Sequence, residues 1–142
     1  MRLLAAIALS LILAAPAFAF EEPARGTALR AELMDTIRRL AEERLNPPIE
    51  FVVSELRHED SVAFGSLRPQ RPGGGGIAWD ETQLAAEGEN PEWYDGYAIH
   101  VLFRSVGDVW MVADWSIGAS DVWWSDPSYC GEFAAVIPET CS

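Results

Sequence analysis

Residues 97–117 read YAIHVLFRSVGDVWMVADWSI. Two runs rich in Val, Ile, Phe and Trp, side chains that suit a pleated and half-buried surface, flank Gly107-Asp108, a pair with turn chemistry. The spacing predicts a β-hairpin of Tyr97–Val106 with Val109–Ile117. In a two-residue register Phe103 faces Val112, Val101 faces Asp114 and His100 faces Trp115. One face then carries Tyr97, Ile99, Val101, Phe103, Trp110, Val112 and Asp114. The other carries Ala98, His100, Leu102, Arg104, Met111, Ala113 and Trp115. Neither is wholly polar, so both need cover.

Upstream, Ile49–Arg57 and Val62–Leu67 alternate with period two and read as two more strands, joined by a turn over His58–Ser61. Before them, Leu29, Leu33, Ile37, Leu40 and Leu45 recur at helical spacing, with Thr27 as N-cap and Pro47-Pro48 as the stop; this predicts an amphipathic helix over Thr27–Leu45. Its outer face carries Arg30, Glu32, Asp35, Arg38, Arg39, Glu42 and Glu43, the pattern of a solvated surface. The expected fold class is α+β: one long N-terminal helix packed on a curved antiparallel sheet of about four strands. A single helix covers one sheet face. The other falls to the loops and C-terminal tail, to a ligand, or to a second copy in a homodimer.

The first residues carry a separate message. Arg2 precedes the apolar run Leu3–Leu13, Pro16 breaks it, and the small residues Ala17 and Ala19 flank Phe18. This is the pattern of a secretory signal peptide over residues 1–19, leaving a single α+β domain over 20–142. The run is shorter than the roughly 20 apolar residues that cross a bilayer, and Phe20 stands where a lipoprotein needs Cys. The expectation is a soluble periplasmic or secreted protein with no membrane span in the mature chain.

The 142 residues include 22 acids against ten basic residues, all ten of them Arg. Removing the leader takes Arg2 and no acid. A chain so acidic has no surface on which a polyanion could release its counterions, which excludes nucleic acid as a partner. The acids crowd the second part; Asp80–Asp95 alone holds six acids and no Arg. Asp80–Asp95 lacks the ligand spacing and central Gly of an EF-hand, so it reads as an acidic loop, and no metal site is expected. Gly73–Gly76 lacks the Lys and Ser or Thr of a phosphate loop and reads as a flexible connection; no cofactor is expected. Cys130 and Cys141, in an oxidising compartment and without neighbouring ligands, should form a disulfide that ties the tail.

For chemistry near neutral pH the candidates are His58 and His100. No Gly-x-Ser-x-Gly elbow is present, and both cysteines are expected to be oxidised. Aromatic residues are more informative. Trp79, Trp93, Tyr94, Trp123, Trp124 and Tyr129 fall in expected loops beside carboxylates, where rings supply contact area at small entropic cost. Of the adjacent pair Trp123-Trp124, one is expected buried and one free. The sequence favours a non-catalytic binding or accessory module using Trp93, Tyr94, Trp123 and Trp124, with a protein, peptide or glycan of the cell envelope as partner. The alternative is a small hydrolase or isomerase with His100 and Asp114 in a pocket between helix and sheet.

The order of helix, two strands, long insertion and hairpin resembles the cystatin-like and NTF2-like α+β group. The resemblance rests on Ile49-Glu50-Phe51-Val52-Val53, on Ser61-Val62-Ala63-Phe64-Gly65 and on Val109–Ile117, and covers the mature chain to about Gly118. It implies a helix lying in the curve of an antiparallel sheet. The Gln-x-Val-x-Gly loop of cystatin inhibitors is absent, so no functional residue carries over. The chain also resembles small exported bacterial proteins.

Overall fold

The computed structural model describes residues 20–141; the expected leader lies outside the described residues. In chain order the elements are α1 (Ala28–Leu45), β1 (Glu50–Glu59), β2 (Val62–Gln70), α2 (Gln83–Ala86), β3 (Ile99–Val106), β4 (Val109–Ile117) and α3 (Cys130–Phe133). Short 3-10 turns punctuate the long loop and the tail.

The start of α1 follows from Thr27, whose hydroxyl accepts from the Arg30 N–H and donates to the Ala24 carbonyl. Leu33, Met34, Ile37, Ala41 and Leu45 form its buried face. At the other end Asn46 turns out of the helix with φ of 58° before Pro47-Pro48. The carbonyls this exposes do not go unsatisfied: the Arg71 guanidinium donates to the carbonyl oxygens of Leu45, Asn46 and Pro48. A single cation thus closes the helix C-terminus, where its charge also suits the negative end of the helix dipole.

The four strands form one antiparallel sheet in the order β1-β2-β3-β4. The sheet curves enough to bring His58 of one edge strand near Trp110 of the other, with ring centroids 5.7 Å apart. Helix α1 packs on the concave side. There Leu33, Met34, Ile37 and Ala41 meet Leu56, Ala63, Leu67, Ile99, Val101 and Phe103. The expected α+β architecture is present, and so is the Cys130–Cys141 disulfide, with Cα atoms 5.4 Å apart.

Several local expectations need correcting. Strand β1 runs on to Glu59, and the first hairpin turns on Asp60-Ser61, with Asp60 at φ of 48°. Strand β2 continues through Pro69 to Gln70, beyond Leu67. Pro69 is tolerated because β3 pairs with β2 only as far as Leu67, so this stretch has no β3 neighbour to bond. The glycine run is a hydrogen-bonded turn rather than a free connection: the Arg71 N–H donates to the Gly75 carbonyl and the Gly74 N–H to the Arg71 carbonyl.

The largest correction concerns the β3–β4 register. Phe103 does face Val112, around a turn in which Gly107 and Asp108 both have positive φ. Beyond it a bulge shifts the pairing by one residue, so Leu102 faces Asp114, Val101 faces Trp115 and His100 faces Ser116. Ala113 is the extra residue. Trp115 and Ile117 therefore join the helix side, while Ala113 and Asp114 both turn to the far side.

That far side is covered by the chain's own tail. Phe133, Val136 and Ile137 pack on Val62, Phe64 and Leu102, with Trp123, Trp124, Tyr129 and Phe20 around them. Arg57, with 13% of its side chain exposed, braces the arrangement. Its guanidinium bonds both Glu139 oxygens and the Val136 carbonyl, and lies over the rings of Phe20 and Phe64. Of the covers open to the second sheet face, the chain's own tail, a ligand or a second copy, it is the tail that packs there, through residues 123–137.

Candidate functional site

The residues expected to bind do not form one site. Trp123 and Trp124 are both half-buried, edge to face with each other at 5.7 Å between centroids. The Trp123 indole N–H donates to the Ser116 hydroxyl at 2.7 Å. Trp124 lies 4.3 Å from the His100 ring and 5.5 Å from Phe64. The expectation that one of the pair is free is corrected: both cap the tail-side core. Tyr94 is likewise half-buried, 5.4 Å from Trp79, in the small cluster around Leu45, Ile49 and Leu84.

Trp93 differs. It is 72% exposed, the most exposed large apolar side chain among the described residues. Its backbone is nevertheless firmly held. Asn90 caps the turn by accepting from the Glu92 N–H, and the Trp93 and Tyr94 N–H groups donate to the carbonyls of Asn90 and Pro91. On either side, Leu84 is buried through α2 and the Asp95 N–H donates to the Gly118 carbonyl. Gly118 is fixed by this closure, because a Cβ there would lie 2.5 Å from the Gly96 carbonyl oxygen, at a φ of 62°. The loop's acids are partly matched: Glu87 and Glu89 pair with Arg44, while Asp80, Glu81, Glu92 and Asp95 form no ion pair among the described residues. The Trp93 ring thus stands exposed on a hydrogen-bonded loop beside carboxylates.

The candidates for proton transfer are engaged in structure. The Asp114 carboxylate accepts from the Tyr129 hydroxyl and from the Trp115 N–H. That bond and partial burial push the Tyr129 phenol up to about 12. His100 is half-buried against Trp124, its Nδ1 buried without a partner. Burial holds its pKa below the usual imidazole value, with a smaller opposing pull from Glu55. His58 Nε2 lies 3.0 Å from the Asp60 carbonyl oxygen. Neither His100 nor Asp114 lines any of the clefts found between helix and sheet.

One of those clefts was not legible as a site in the sequence. It lies between the first half of α1 and β1, encloses about 660 Å³, and is lined by Arg25, Arg30, Met34, Arg38, Phe51 and Val53 among others. Arg30 and Arg38 are half-buried here, so the outer face of α1 is not uniformly solvated as its charge pattern suggests. The available signal was the spacing of Arg30, Met34 and Arg38 on one flank of the helix, four residues apart each time. Compared with known protein families, with curated proteins and with solved structures, the chain matches none.

Proposed function

We propose that this protein is an exported, non-catalytic binding or accessory module that presents Trp93 on its acidic loop to a protein, peptide or glycan of the cell envelope. The observation that carries the reading is the exposure of Trp93, 72%, on a loop whose backbone is otherwise tied down. An aromatic contact mounted in advance loses little conformational freedom on binding, and neighbouring carboxylates both steer and bond a basic protein, a basic peptide or the hydroxyls of a glycan. Export is supported by the leader pattern of residues 1–19 and by the disulfide, which persists in oxidising compartments. Among the described residues no helix is long and apolar enough to cross a membrane.

The binding reading is favoured over the hydrolase or isomerase alternative because His100 is packed against Trp124 and Asp114 is hydrogen-bonded to Tyr129, and neither lines the two clefts between helix and sheet. Tryptophan fluorescence against panels of basic proteins, basic peptides and envelope glycans tests the proposal. A ligand that changes the emission of the wild type should lose at least tenfold in affinity with Trp93→Ala, with thermal stability unchanged within about 0.5 kcal/mol. Binding that survives Trp93→Ala undiminished, or that is lost only with His100→Ala, would overturn it.

A further inference from the structure

The charge arithmetic of the chain makes one feature of the α1–β1 cleft unexpected. Acids outnumber Arg more than two to one, 22 to ten. Three Arg are paired closely with acids, Arg44 with Glu87 at 2.6 Å, Arg57 with Glu139 at 2.7 Å and Arg104 with Glu132 at 2.5 Å, and Arg71 is held by three backbone carbonyls. Arg25, Arg30 and Arg38 line one cleft, and none has a carboxylate partner at such a distance. Arg25 is exposed and makes no ion pair. Arg30 donates through Nη1 to the Pro23 carbonyl at 3.0 Å, which orients the guanidinium without neutralising it. Arg38 lies over the Phe51 ring at 5.5 Å, its Nε buried without a partner, and its nearest carboxylate oxygen, on exposed Asp35, is 4.0 Å away. The remaining acid on the wall, Glu50, accepts a bond from Gln70 at 2.6 Å.

We infer that the cleft between α1 and β1 is a binding site for a small ligand carrying an oxyanion, a carboxylate or a phosphate, on an apolar body. The three guanidiniums supply forked donors that match such a group. Met34, Phe51 and Val53 form the apolar wall against which the rest of the ligand lies. The site is independent of the Trp93 surface, so either can fail alone.

Titration of ¹⁵N-labelled full mature protein with inorganic phosphate, with benzoate and with neutral benzamide decides the matter. Benzoate, phosphate or both should shift the backbone amides of residues 25–31 and 50–53 at concentrations up to about 10 mM, and benzamide should not. Response to benzoate alone assigns the site to carboxylates on an apolar body; response to phosphate alone assigns it to phosphate. Arg30→Gln with Arg38→Gln should abolish the shifts, and exposed Arg25→Gln, which cannot disturb packing, should weaken binding about threefold or more. Absence of shifts with both anions, equal shifts with benzamide, shifts confined to other residues, or full binding in the Arg variants would each overturn the inference.

Discussion

Replacing Cys130 and Cys141 together by Ser should lower the melting temperature by roughly 10 °C, from the loss of about 2 to 3 kcal/mol. The bond closes a loop with a sequence separation of 11, so its removal returns that loop's freedom to the unfolded chain. The effect extends beyond the loop. Phe133, Val136 and Ile137 lie between the cysteines and cover Val62, Phe64 and Leu102, and the aromatic residues Trp123, Trp124 and Tyr129 pack on the same cluster. Loosening the tail wets these rings, so tryptophan emission should shift to the red before the main unfolding transition. The helix side does not depend on the bond, and far-ultraviolet circular dichroism should stay close to that of the wild type. A double variant that melts with the parent and keeps its emission would show that packing, Arg57 and the Arg104–Glu132 pair hold the tail without the disulfide.

Phe103→Ala should cost about 3 to 5 kcal/mol, a large part of the 5 to 15 kcal/mol that stabilises a domain of this kind. Phe103 is fully buried in the cluster between α1 and the sheet. Its ring also lies over Gly65 on β2, 3.6 Å from where a Cβ would stand, beside Val101 at 3.1 Å. Gly65 offers no side chain to fill the space, and a close-packed core collapses only in part around a deleted ring, so much of the loss remains. Urea denaturation should show a fall in midpoint at nearly unchanged slope. A cost below 1 kcal/mol would mean that the helix does not seal this face of the sheet.

The sequence carried the helix, the hairpin and the disulfide clearly because each rests on a local rule: an N-cap and a heptad-like stripe, a two-residue turn, two thiols in an oxidising compartment. The register of β4 was less legible. Simple alternation put Asp114 on the same face as Phe103 and sent Trp115 to the other. A carboxylate opposite core residues, one step from a displaced Trp, is the mark of a bulge, and the shift at Ala113 resolves both conflicts at once. The tail's role was written in Phe133, Val136 and Ile137, spaced three and four apart as one side of a helical turn, although the element is too short to announce itself.

Candidate sites were harder still. Residue type does not tell an exposed ring from a capping one: Trp93 and Trp124 look alike in sequence, yet one is free and the other lies between His100 and Phe64. The difference is set by contacts many residues away. The same is true of the Arg cleft, since Arg30 and Arg38 read as surface charges until β1 brings Phe51 beside them.

The account turns on both faces of the sheet being covered by this chain itself, α1 on one and the tail on the other, which leaves recognition to the loop and the cleft. Aromatic-to-methyl nuclear Overhauser spectra of the mature protein test this directly. Cross-peaks should connect the Phe133 ring with the methyls of Leu102 and Val62, and the Phe103 ring with those of Leu33 and Ile37, within one molecule. If the Phe133 ring shows no such cross-peaks while the Leu102 methyls respond to dilution, the second face belongs to a partner and the account is wrong.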